Sequence, residues 1–109
     1  MQYLSIYTPA EQRPPSQEKL AAMGKFVEEM MKSGVLLATG GLLPSANGVR
    51  VRRSGTKFAV TDGPFTETKE LICGFALLKV KSKEDVIEQT RRFLDLAGDG
   101  ECELRQIME

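Results

Sequence analysis

"VRVRRSGTKFAVTDGPF", residues 49–65, decides how the chain is organised. Val49 to Arg53 alternates apolar and cationic side chains, and Lys57 to Val60 forms a second short run of strand-forming residues. Gly55 lies between them, so the pair reads as a β-hairpin over about residues 49–60. Asp62-Gly63-Pro64 then turns the chain sharply: Asp bonds backbone amides further on, Gly admits unusual φ, and Pro sets the exit. Upstream, "YLSIY" (residues 3–7) alternates as a strand, with Leu4 and Ile6 on one face and Ser5 and Tyr7 on the other. A loop, "TPAEQRPPS", leads to a helix over about residues 17–33, capped by Ser16 and stopped by Gly34. Leu20, Met23, Val27 and Met30 mark its buried stripe, and "VLLATGGLL" follows as an apolar strand. Downstream, "ICGFALLKV" is a strand at about residues 71–80. A helix capped by Ser82 and Asp85 comes next, then "GDG" and a last strand, "ECELRQI". The order is β-α-β, hairpin, β-α-β. That order predicts an α+β, ferredoxin-like sandwich in a single domain, residues 1–109.

Both helices of such a sandwich cover one face of the sheet. With Leu4 and Ile6 assigned to the helices, Ser5 and Tyr7 face away. Ala76, Leu78, Cys102 and Leu104 suit the helix side, which leaves Phe75, Leu77, Lys79, Glu103 and Arg105 on the other. An exposed face of this kind is sticky in a monomer. Its burial against a second copy predicts a homodimer around a partly apolar space. Ser5, Tyr7, Phe75, Leu77 and Arg105 are the expected ligand-binding residues.

Composition narrows the chemistry. Fifteen basic residues balance fifteen acidic ones, which argues against nucleic-acid binding. Histidine is absent, which removes the commonest general base and the commonest metal ligand. Cys73 and Cys102 alone make neither a disulfide framework nor an ordinary zinc site. No metal and no cofactor is expected. No stretch is apolar enough for a membrane span, and the N-terminus lacks the marks of a secretory signal, so a cytoplasmic setting is expected. Cys73 reads as a small hydrophobe in a strand, and the cations of the hairpin read as a charged edge that resists pairing with other strands.

"VTDGPFTETKELICGF" closely resembles the signature of the DGPF-type proteins within the YCII-related superfamily. "YLSIYTP", "GVLLATGGLLP" and "CELRQI" are similar to that family's first, second and closing strands. The resemblance covers nearly the whole chain. It implies a ferredoxin-like fold paired as a dimeric α/β barrel, with no established reaction. Some relatives in the wider superfamily carry a His–Asp pair proposed to be catalytic, which a chain without histidine cannot reproduce.

Two functions follow as expectations. One is a cofactor-independent isomerase, lyase or cyclase, with Asp62 or Glu67 as the catalytic carboxylate, Tyr7 as hydrogen-bond donor and Arg105 as anion holder. The other is a non-catalytic module binding an effector or a protein partner. The resemblance includes members encoded near alternative sigma factors, which implies a role in stress or transcriptional regulation.

Overall fold

The computed structural model describes residues 1–11, 13–65 and 72–109. Among the described residues, six strands and two long helices follow one another as β1 (Gln2–Pro9), α1 (Gln17–Lys32), β2 (Leu36–Gly41), β3 (Val49–Ser54), β4 (Lys57–Asp62), β5 (Gly74–Lys79), α2 (Lys83–Ala97) and β6 (Gly100–Gln106). A 3-10 turn at Ser45–Asn47, not read from the sequence, precedes β3. Four strands form an antiparallel sheet in the order β2-β5-β1-β6, and β3 and β4 form a separate two-stranded sheet. This is the ferredoxin-like α+β sandwich with an inserted hairpin, the subunit fold of dimeric α/β barrels.

Local chemistry sets the helix ends where expected. The Ser16 hydroxyl accepts from the Lys19 amide at 3.2 Å, and Gly34, at φ 80°, ends the helix turn. At α2 the Ser82 hydroxyl accepts from the Asp85 amide at 3.1 Å, while the Asp85 carboxylate accepts from the Lys81 amide at 3.2 Å. Each such cap is worth about 1 kcal/mol to its helix.

The core is small. Tyr3, Met30, Leu36, Leu78, Val80 and Val86 are its buried members, with Phe26, Val27 and Leu104 packed around them. Tyr3 and Ser5 are buried and Tyr7 stacks on a helix residue, so β1 turns these three toward the helices. This reverses the expected phase of β1. Leu4 and Ile6 lie on the helix-free face, where Leu4 neighbours Leu77 and Arg105, and Ile6 neighbours Phe75 and Glu103. The expected phases of β5 and β6 hold: Ala76, Leu78 and Leu104 pack with the core. Alternation in β1 distinguishes two faces but does not say which one the helices take. The reading assumed that the aliphatic face must go to the helices, whereas here both faces carry apolar residues.

The hairpin stands apart. Val49, Val51, Phe58 and Val60 share one of its faces by register, and each is 55–68% exposed. The radius of gyration is 16.0 Å, against about 13 Å for a compact chain near this size. At the hairpin's base the Asp62-Gly63-Pro64 turn closes on the 3-10 turn. The Gly63 amide donates to the Gly48 carbonyl at 2.9 Å, and a Cβ on Gly63 would overlap the Ser45 carbonyl oxygen. Only glycine fits there. Phe65, which follows the turn, stacks under the Arg50 guanidinium, 3.9 Å from the ring centroid, and lies against Gly48. The turn is therefore a fastening for the hairpin.

Candidate functional site

The space between helices and sheet is filled at one end and hollow at the other, and side-chain size explains it. Along the helix-facing side of β5 the residues shrink from Leu78 to Ala76 to Gly74; β1 beside it runs Tyr3, Ser5, Tyr7, and β2 runs from Leu36 to Thr39. The large residues meet Met30 and Val86 in the core. Beyond Ala76, β5 offers too little side chain to reach the helices, while Tyr7 on β1 still meets Phe93 on α2. A cavity of about 1130 Å³ opens there, floored by Ser5, Thr39, Gly74 and Ala76. Met23, Phe26 and Phe93 on the helices form its roof, and Leu36 and Leu78 close its inner end. Its mouth is formed by the β1–α1 loop, Lys19 and the Gly98–Asp99 turn.

Tyr7 is the most distinctive group in it. Its ring meets Phe93 edge-on, with centroids 5.0 Å apart at 89°, a favourable arrangement for the two quadrupoles. Burial pushes the phenol above its ordinary value, and the neighbouring Cys102 and Cys73 thiols push it the same way. Tyr7 is therefore a proton-bearing donor at neutral pH, not a base. Among the described residues no acceptor takes its hydroxyl. Two other hydroxyls of the cavity are spent on the protein itself: Thr39 donates to the Phe75 carbonyl at 2.8 Å and Thr90 to the Val86 carbonyl at 2.7 Å. Burial also raises the Cys102 thiol, an effect opposed by a hydrogen bond with Ser5 and added to by Glu101. Cys73, read from sequence as a buried hydrophobe, is only half-buried and lines the cavity.

The expected site residues therefore separate. Ser5 and Tyr7 come together in the cavity, on the helix side of the sheet. Leu77 and Arg105 lie on the opposite face; Phe75 borders the cavity, while its ring lies across Gly40 on that opposite face. Arg105 donates through Nε to Glu103 at 2.8 Å, and both side chains are exposed. Asp62 is exposed at the end of β4 and does not line the cavity; Glu67 lies outside the described residues. Met23 entered the sequence reading only as a stripe position and Thr39 only as a strand position. The shrinking series Leu78, Ala76, Gly74 was the one signal that could have pointed to them.

Among the described residues, no group of three acidic or cysteine side chains could hold a metal ion, and no helix is long and apolar enough to cross a membrane.

The residues thus build a ferredoxin-like fold with a hollow between its sheet and its helices. The model of the YCII-related domain family matches residues 1–109, and the chain belongs to that family. An uncharacterised protein of Rhizobium meliloti (strain 1021) is 30% identical over 87 residues, which is 80% of this chain and 67% of that protein. Among solved structures, the chain is similar to the 5-chloro-2-hydroxyhydroquinone dehydrochlorinase TftG from Burkholderia phenoliruptrix AC1100, in complex with 2,5-dihydroxybenzoquinone. That likeness has a TM-score of 0.58 at 15% identity, and covers 99% of this chain and 94% of the other. At that identity the likeness shows the fold.

Proposed function

We propose that this protein binds a small organic molecule in the hollow between its sheet and its helices, with Tyr7 as the positioning donor. The observation that carries the reading is the cavity of about 1130 Å³ with an unengaged phenol inside it. Ligand sites are concave, mostly apolar and furnished with few polar groups, and this space has that character. A protein of the same fold holding a dihydroxybenzoquinone supports the idea that the architecture accommodates such molecules. In its enzymatic form the reading is a cofactor-independent isomerase, lyase or cyclase. Tyr7 supplies a proton to a developing oxyanion, and with Asp62 outside the cavity Glu67 is the candidate carboxylate that remains.

The test is an NMR titration of the full chain with 2-naphthol, an uncharged aromatic probe. Shifts are expected at Ser5, Tyr7, Gly40, Gly74 and Thr90. Shifts confined to Leu4, Ile6 and Leu77 would move the site to the other face of the sheet, and no shifts at all would end the reading.

The same proposal makes the chain a homodimer. Leu4, Ile6, Phe75 and Leu77 leave an apolar patch on the helix-free face, more apolar than the expected mixture with Ser5 and Tyr7. The hairpin adds four cations, Arg50, Arg52, Arg53 and Lys57, against Asp62. Because the whole chain is neutral, the rest of it carries an equal acidic excess. A second copy thus offers both an apolar face and the opposite charge. Light scattering should give twice the 12.1 kDa chain mass, and Ile6→Asp should return it to one chain. A wild-type monomer would refute the pairing.

A further inference from the structure

We infer that the ligand of this cavity is an uncharged molecule of more than one ring, bearing an oxygen that accepts a hydrogen bond from Tyr7. The inference rests on the binding reading above and adds the ligand's size, charge and polar handle.

Size comes first. A void of about 150 Å³ already holds benzene. The hollow here is about 1130 Å³, so a single ring leaves most of its wall unmet. Unmet wall means lost dispersion contacts or retained water against apolar side chains. The walls are suited to flat, polarisable surfaces: Phe26, Phe93 and Tyr7 present rings, and Met23 and Met30 present thioethers.

Charge is decided by position. Apart from Tyr7, the uncharged polar side chains of the lining are Ser5, Ser16, Thr39, Cys73, Gln89 and Thr90, and of these Ser5 and Thr90 are buried. The charged side chains along the cavity are Glu11, Arg13, Lys19 and Asp99, all at the mouth. Arg13 is paired there with Glu11 at 2.8 Å, and both are exposed. Lys19 reaches across to the C-terminal end of α2, where a Cβ on Gly98 would lie 3.3 Å from its Nζ. Arg92 lies against Phe26 at 5.2 Å and Met30 at 3.9 Å but outside the lining, so an ionic ligand seated deep in the hollow would lose its water with no countercharge among the lining side chains.

The polar handle follows from the hydrogen-bond inventory. Thr39 and Thr90 have already given their protons to backbone carbonyls, and Ser5 is engaged with the Cys102 thiol. Tyr7 keeps its proton and has no acceptor among the described residues. A ligand carbonyl, ether or hydroxyl oxygen completes it.

Calorimetry of the full chain with phenol, 2-naphthol and 9-phenanthrol separates these claims. Affinity should rise about tenfold or more with each ring, as apolar area leaves water. The anion 2-naphthoate should bind at least about tenfold more weakly than 2-naphthol. Tyr7→Phe, which keeps the ring against Phe93, should weaken 2-naphthol about three- to tenfold and leave naphthalene unchanged. Equal affinity across the ring series, tighter binding of the naphthoate, or indifference to Tyr7→Phe would overturn the inference. Where 2-naphthol still maps to the cavity by NMR, the binding reading survives that failure. If none of the compounds binds, both fall together.

Discussion

Tyr3 and Tyr7 project from the same face of β1 toward the same two helices, yet their surroundings differ. Tyr3 is 8% exposed and belongs to the core with Leu36, Leu78 and Val86. Tyr7 borders the hollow and touches Phe93 by its edge. Backbone geometry is shared between the two positions, so it cannot be the cause. The neighbours are. Tyr3 pairs with Leu78 on β5, while Tyr7 pairs with Gly74 on β5 and Cys102 on β6. A sheet that replaces leucine with alanine and glycine over three alternate positions gives up the volume a ligand needs. One end of the sandwich supplies stability and the other supplies space.

That division can be broken by substitution, most strongly at the packed end. Leu78→Ala should cost about 2–5 kcal/mol, because a cavity opens where neighbours cannot collapse into it. Phe93→Ala at the hollow end should cost less, roughly 1–2 kcal/mol, since its ring already borders empty space and loses chiefly the Tyr7 contact. Urea denaturation of both variants decides the matter. If Phe93→Ala proves as damaging as Leu78→Ala, the hollow end is a second core and the contrast fails.

A smaller effect sharpens the contrast. Tyr7 and Cys102 both have their protonated forms favoured by burial, from ordinary values of 10.0 and 9.0. A group raised in the folded state contributes stability that is complete below its unfolded value and is lost as pH rises through the folded one. The chain should therefore become less stable in alkali from about pH 9 upward. Cys102→Ser should remove part of that slope, read as urea midpoints at about pH 8 and about pH 10. An unchanged slope would mean that the thiol is solvated in the folded protein.

Much of the fold was legible in the residues. Ser16 and Gly34 bracket α1, Ser82 and Asp85 open α2, and alternation around Gly55 marks the hairpin, because caps and turns depend on a few neighbouring atoms. The Asp62-Gly63-Pro64 turn was legible as a turn but not as a fastening, since the Ser45 carbonyl that demands glycine lies in a different segment. The site was less legible. Ser5 and Tyr7 were singled out for a space on the helix-free face, and the structure puts them beside one on the helix face. An alternating strand carries no mark of which side the helices will occupy when both sides hold apolar groups.

The sequence by itself determined the element order, the caps, the hairpin and the family, all of which rest on local bonding or on motif. Tertiary structure alone decided that β1 gives its tyrosines to the helices, that the hollow lies within one chain, and that Asp62 stands outside it. Those outcomes depend on which side chains from distant segments meet, and on how much volume they leave between them.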